Sequence, residues 1–116
     1  LTPNILTLMN AALIVIAFSS EALAGGEIAS NKINFVAFQT GGFFMYGDNW
    51  GNPNACTRST AVVLSEVDPN YEKAYALLLS AYMAGKSISG YSDECVSFDG
   101  QTYNRIRGFK YLTVRN

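Results

Sequence analysis

The apolar residues of this chain form one long run near the N-terminus and then short runs separated by Gly, Asn, Asp and Ser. The long run, residues 5–18 (ILTLMNAALIVIAF), contains two polar residues and no charge. A membrane-spanning helix needs about 20 apolar residues, whereas the apolar region of a secretory signal needs about 7 to 15. Ala22-Leu23-Ala24 follows, with small side chains at both positions that signal peptidase accepts. The pattern predicts a signal peptide over residues 1–24, cleaved after Ala24.

The first residues depart from a complete signal. Signal peptides begin with a basic segment, whereas Leu1-Thr2-Pro3-Asn4 contains no Lys, no Arg and no initiator Met. We therefore expect a few residues to precede Leu1. The alternative to a signal is a hydrophobic N-terminal helix that packs inside the fold. Under the signal hypothesis, residues 25–116 form a single domain with a thin core, because so short a chain buries little surface.

Beyond residue 25, the spacing of apolar residues predicts five strands. They span residues 32–39, 43–46, 59–65, 86–91 and 105–115. Thr40-Gly41-Gly42 predicts a hairpin between the first two, since glycine supplies the positive φ that tight turns require. The run Ala61-Val62-Val63-Leu64 does not alternate with polar residues, so we expect the third strand to be covered on both faces. Gly90 inside the fourth strand predicts a bulge or a close backbone approach.

One helix is predicted, over residues 69–84. Asp68 is the expected N-cap, Pro69 the first helical residue, and Glu72 lies where the helix dipole favours an acid. Gly85 predicts a left-handed C-cap. Spacings of three and four place five apolar residues on one face, which we expect to pack on the core: Ala74, Leu77, Leu78, Ala81 and Tyr82.

The predicted elements define a fold class. A polar loop over residues 92–104 separates the last two strands, so the order is β-β-β-α-β-β with the helix after the third strand. This is the order of an OB-like fold, a small, partly open β-barrel of the α+β class. Other small α+β domains share that order.

The only two cysteines, Cys56 and Cys95, lie in the part predicted to be exported. An even count outside the cytosol predicts a disulfide. There is no CxxC pair and no histidine, so a redox motif or a zinc site is not indicated. Closing a loop of about 40 residues stabilises by roughly 4 kcal/mol in the chain-entropy model. The alternative is a reactive thiol pair.

The balance of basic and acidic residues argues against two classes of partner. The chain has 8 basic and 9 acidic residues, and removal of Glu21 with the signal leaves equal numbers. Nucleic acid and anionic membranes attract proteins through an excess of basic residues. We therefore expect no nucleic-acid partner and no membrane association after signal cleavage. We also expect no cofactor and no metal.

Four stretches carry a resemblance: ACTRSTAVVLSEVD (55–68), YALLLSAYMAGKSISGY (75–91), DECVSFDG (93–100) and FKYLTV (109–114). With this arrangement, nearly all of residues 25–116 resembles a group of small exported bacterial proteins of unassigned function. At the level of architecture, the chain also resembles the receptor-binding B subunits of A/B-type bacterial toxins. Those are exported, disulfide-closed OB-folds that form pentameric rings and bind cell-surface glycans. The resemblance implies an exported module, periplasmic or secreted, and transfers no glycan-contact residue.

The loop MYGDNWGNPN is the predicted ligand site. Two aromatic residues could stack on sugar rings beside hydrogen-bonding side chains, the mixture that small-ligand sites use. The residues concerned are Tyr46, Asp48, Asn49, Trp50 and Asn52. The alternative is that Trp50 packs in the core and the polar residues merely form turns.

Three functional classes follow from these features. The first is a non-catalytic binding module, with a glycan as the expected ligand. The second is a structural or protein-interaction subunit, such as a homo-oligomer, because exposed strand edges pair and aromatic residues anchor interfaces. The third, an enzyme, is not expected: there is no histidine, no nucleophile motif, and the candidate acids lie in turn-rich segments. Those acids are Asp48, Asp93, Glu94 and Asp99.

The signal hypothesis gives a direct prediction. N-terminal sequencing of the exported protein is expected to begin at Gly25, because Ala24 is the last residue of the predicted cleavage site. An intact Leu1 in the exported protein would contradict the hypothesis.

Overall fold

The computed structural model describes residues 25–116, and the predicted signal peptide lies outside the described residues. Within that range the chain is β-rich, with one helix and one disulfide, so the coarse prediction of the fold is confirmed. In chain order the elements are β1 (Gly26–Lys32), β2 (Phe35–Gln39), β3 (Gly42–Tyr46), β4 (Arg58–Ser65), α1 (Tyr71–Ala84), β5 (Ser87–Ser92), β6 (Cys95–Phe98), β7 (Gln101–Arg105) and β8 (Thr113–Arg115).

Several local predictions are confirmed. Strands β2 and β3 form the expected antiparallel hairpin, and Gly41 in its turn has φ of 99°. Helix α1 ends at Gly85, which is left-handed with φ of 68°. Its start differs from the prediction: the N-cap is Asn70, and Asp68 Oδ1 accepts a hydrogen bond from the Asn70 backbone at 2.9 Å. The side chain of Asp68 therefore fixes the turn before the helix.

The strand prediction is wrong in three places. Strand β1 is not predicted, because its sequence is mostly polar and only Ile28 is fully buried. It is held by backbone pairing with β5, which the pattern of side chains does not show. The segment predicted as a polar loop, residues 92–104, holds the β6–β7 hairpin. The predicted final strand, residues 105–115, is a strand only at its two ends, where Arg105 closes β7 and Thr113–Arg115 form β8; the residues between them form a loop.

The strands pair as two sheets. One has the order β1-β5-β8, and the other has the order β2-β3-β4-β7-β6. All pairs are antiparallel except β4 with β7, which is parallel. The hydrogen-bonded ladders thus divide the strands between two sheets and do not form one closed sheet.

The main core fills the space between the two sheets and the helix. Its fully buried side chains include Ile28, Met45, Trp50, Val62, Leu64, Leu78, Ile88 and Ile106. A second cluster lies on the opposite face of the larger sheet, where Phe44 packs with Ala61 and Val63. Strand β4 is therefore covered on both faces, as predicted.

Gly90 lies where the backbone of β5 approaches the core closely. A Cβ at this position would lie 2.8 Å from Ile106 Cδ1 and 2.9 Å from its Cγ1. The prediction of a close approach at Gly90 is therefore confirmed.

Substitution of this glycine is expected to be costly. Gly90→Ala should lower the free energy of unfolding by about 1–3 kcal/mol, because the added methyl group overpacks the core against Ile106. In an Ile106→Ala background the same change should cost much less, since the opposing atoms are gone. Urea denaturation of the four proteins in this cycle measures the coupling. Purely additive effects would show that the contact does not exist.

Candidate functional site

The predicted ligand loop uses its aromatic residues for packing. Trp50 is 1% exposed and belongs to the main core, and the ring lies so close to Gly47 that a Cβ there would sit 2.7 Å from the indole. Tyr46 is half-buried on the outer face of the larger sheet, where it stacks on Phe35 at 4.4 Å. Trp50 therefore presents no face to a ligand. Its position matches the alternative interpretation, in which it packs in the core.

The polar residues of that loop are also engaged. Asp48 Oδ1 accepts a hydrogen bond from Asn34 Nδ2 at 3.0 Å. The backbone carbonyl of Asn49 accepts from the side chain of Asn31. Asn52 Oδ1 accepts from the Cys56 backbone at 2.9 Å, and its amide nitrogen donates back to the Cys56 carbonyl at 2.9 Å. The five predicted site residues thus divide between core, sheet face and loop, and the structure does not gather them into one site.

The predicted disulfide between Cys56 and Cys95 is present, with an S–S distance of 2.05 Å. It links the loop before β4 to the first residue of β6, and Asn104 lies beside it with no exposed surface. Asn104 Nδ2 donates to Asn52 Oδ1 at 2.7 Å, and its Oδ1 accepts from Asn54 Nδ2 at 3.1 Å. The three asparagines and the disulfide therefore hold the ligand loop against the β6–β7 hairpin.

The candidate catalytic acids do not converge. Asp93 forms a two-pronged ion pair with Arg107, at 2.8 and 3.3 Å. Its neighbour Glu94 pairs instead with Arg105 at 2.8 Å. Each carboxylate thus has its own guanidinium, so the two acids belong to separate ion pairs.

A different surface has the features of a binding site. A cleft of about 350 Å³ opens between β1, β5 and the loop before β8. Its lining residues are Glu27, Gly90, Tyr91, Lys110 and Tyr111. Lys110 Nζ lies 4.2 Å from the centre of the Tyr91 ring and 5.6 Å from that of Tyr111. Two aromatic rings, an ammonium group and a carboxylate therefore meet at one opening.

The loop that forms one wall of this cleft, residues 106–112, is anchored at its first three residues. The backbone of Ile106 donates to the Val63 carbonyl on β4, and that of Arg107 donates to the Tyr91 carbonyl, both at 2.9 Å. Gly108 donates to Asp68 Oδ2, also at 2.9 Å. Since a Cβ at Gly108 would lie 2.8 Å from Asp68 Oδ1, glycine is required for this contact.

Beyond that anchor, the loop exposes its large side chains. Phe109 is 57% exposed and Tyr111 is 74% exposed. Tyr111 also has φ of 54°, a left-handed conformation that is uncommon for a bulky residue. Exposed aromatic rings such as these contribute little to packing. Backbone strain of the kind seen at Tyr111 is often found at functional sites.

This cleft is not predicted from the sequence, because residues 105–115 alternate well enough to resemble one long strand. The available signal was Gly108, which interrupts that pattern with a residue that weakens strands. Its partner, Asp68, lies 40 residues away in the sequence, so the pairing could not be read from the chain.

Comparison of the chain with protein-family models, with curated proteins and with solved structures found no match. Within residues 25–116, no helix has the length and apolar character needed to cross a bilayer. The same described range contains no group of three or more His, Cys, Asp or Glu residues arranged to hold a metal ion.

The burial of Trp50 leads to a stability prediction. Trp50→Ala should lower the free energy of unfolding by about 3–5 kcal/mol, because it empties a large, fully enclosed site. Phe38→Ala is the control, since Phe38 is 63% exposed and its loss should cost about 0.5 kcal/mol or less. Thermal or urea denaturation compares the two variants. Equal stabilities would mean that the indole is not packed in the core.

Proposed function

We propose that this protein is an exported, non-catalytic binding module that takes a carbohydrate ligand in the cleft between Tyr91 and Tyr111. The observation that carries the proposal is Tyr111, which is 74% exposed and held in a left-handed conformation beside the cleft. The strain costs of order 1–3 kcal/mol and the Tyr111 ring stays largely exposed, so a ligand that covers the ring accounts for its position.

The lining of the cleft matches the chemistry of sugars. A pyranose ring has a flat C–H face, which packs on aromatic rings, and an edge of hydroxyl groups, which needs directed donors and acceptors. Tyr91 and Tyr111 supply the aromatic surfaces, Lys110 supplies a donor, and the Glu27 carboxylate supplies an acceptor. Glu27 and Tyr91 lie on paired strands, and the loop that carries Lys110 and Tyr111 is anchored at its start, which reduces the entropy lost on binding.

A non-catalytic role agrees with the partners of the acidic side chains. Asp93 and Glu94 are each occupied by an arginine, and Asp48 accepts from Asn34. Glu27 is the only carboxylate among the described residues that line the cleft. Hydrolysis of a glycosidic bond commonly uses a pair of carboxylates.

Export is supported by the disulfide. A bond between Cys56 and Cys95 forms and persists in oxidising compartments, such as the periplasm or the extracellular medium. Cleavage of residues 1–24 as a signal peptide belongs to the same proposal.

An OB-like barrel is the finer architecture that we propose. Strand β1 is followed by β2 after only two residues, Ile33 and Asn34, and β5 is followed by β6 after Asp93 and Glu94. If each pair is one bent strand shared by the two sheets, the strand order runs around a partly open barrel. This would be the architecture of the toxin B subunits that the chain resembles, and glycan binding would be a further point of likeness.

The proposal is tested on an array of printed glycans. The oxidised wild-type protein is expected to bind a defined group of glycans, and Tyr111→Asn should weaken that binding by about tenfold or more, because a stacking surface is lost. Asparagine tolerates the left-handed conformation, so the melting temperature of the variant should not fall. Phe38→Asn is the matched control, since it removes an aromatic residue of similar exposure outside the cleft and should leave binding unchanged.

Two outcomes would contradict the proposal. One is the absence of any glycan bound above background by the wild-type protein. The other is binding that Tyr111→Asn leaves unchanged, which would place the ligand elsewhere on the surface.

A further inference from the structure

The free edge of the larger sheet lacks the usual protection against pairing. In the described part of the chain, β2 pairs only with β3 and ends the sheet. Its sequence, FVAFQ, contains no charge and no proline, and four of its five residues are exposed. Natural edge strands are commonly guarded by lysine, proline or a bulge. Strand β2 therefore offers an open row of backbone donors and acceptors.

An apolar groove runs beside this edge. It has a volume of about 400 Å³ and lies between β2 and helix α1. Its lining includes Val36, Phe38, Phe43, Tyr71, Tyr75 and Leu79. A strand added to β2 would point every second side chain into this groove, because side chains alternate between the two faces of a sheet. Edge and groove together have the properties of a strand-addition site.

One end of the groove is acidic. Tyr71 lines both the groove and a neighbouring hollow, in which Glu66 and Glu72 are exposed. Burial and, next, the charge of Glu66 raise the pKa of the Tyr71 hydroxyl, and Glu72 adds to the shift. Lys73 also lines the hollow, so the two free carboxylates outnumber the one ammonium group.

This charge argues against the opposite edge of a second copy as the occupant. The opposite edge is β6, with Asp93 and Glu94 before it and Asp99 after it. Whichever way β6 ran along β2, it would bring no free cation to the acidic end of the groove. Asp99 lies at one end of β6, and at the other end Asp93 and Glu94 are already paired with Arg107 and Arg105. Like charges placed together at an interface are unfavourable.

We propose that β2 and its groove bind an extended segment of a partner polypeptide, which adds a strand to the sheet, places apolar side chains in the groove and sets a Lys or Arg beside Glu66 and Glu72. This site is separate from the cleft at Tyr111, so the two proposals stand or fall independently. The segment would be recognised by its alternation of apolar residues and its basic end.

The test selects partners without assuming their sequence. A phage-displayed library of random decapeptides is panned on the full chain, produced with export so that the disulfide forms. We expect enriched peptides to carry apolar residues at alternate positions and a basic residue at one end. One enriched peptide, labelled with a fluorophore, then gives dissociation constants by anisotropy.

Three variants identify the site. Ala37→Lys adds a charged guard to the exposed edge and should weaken peptide binding by about tenfold or more. Glu66→Gln with Glu72→Gln should weaken it by about fivefold, the scale of two exposed ion pairs. Glu27→Gln with Asp99→Asn removes the same number of charges away from the groove and should leave binding unchanged. All of these positions are exposed, so the variants should fold.

Several results would overturn the proposal. These are the absence of an enriched pattern, enriched peptides without a basic end, and enriched peptides that bind Ala37→Lys as well as wild type. A fourth is a wild-type oligomer, seen by light scattering without peptide, that Ala37→Lys converts to a monomer. That result would make a second copy the occupant. A wild-type protein that binds glycan but enriches no peptide would refute this inference alone.

Discussion

Strand β4 is the element against which the rest of the molecule is placed. Four consecutive residues, 61–64, have no exposed surface, and their side chains alternate between the main core and the outer cluster. A polar or smaller residue at any of these four positions would destabilise the fold, because it would disturb the packing of one cluster or the other. The strand also has a partner on each side, β3 and β7. Its position therefore fixes the register of the five-stranded sheet.

The candidate cleft depends on that strand through a short chain of contacts. The Val63 carbonyl accepts from Ile106, whose side chain enters the core beneath Gly90. From there the loop is held by the Tyr91 carbonyl and by Asp68. Asp68 itself is buried and also organises the turn before α1. One carboxylate thus couples the start of the helix to the loop that carries Tyr111, so the exposed rings lie on a rigid base.

Local features of the fold were predictable, and long-range ones were not. The hairpin at Gly41, the end of the helix at Gly85 and the double burial of β4 follow from residue types over a few positions. The disulfide followed from the cysteine count. Strand β1 was missed because its stability comes from pairing with β5, about 60 residues away, and not from its own apolar pattern.

The fates of Trp50 and Tyr111 show how the burial of an aromatic residue depends on distant contacts. Trp50 follows Asp48-Asn49 and Tyr111 lies three residues after Gly108, and sequence alone gives no reason to bury the first and expose the second. Burial of Trp50 depends on Gly47, which leaves room for the indole, and on the core that the two sheets enclose. Exposure of Tyr111 depends on the anchor between Gly108 and Asp68, which turns the chain away from the sheet. In a domain this small, an aromatic residue that the core does not take up stays on the surface, where it is available for binding.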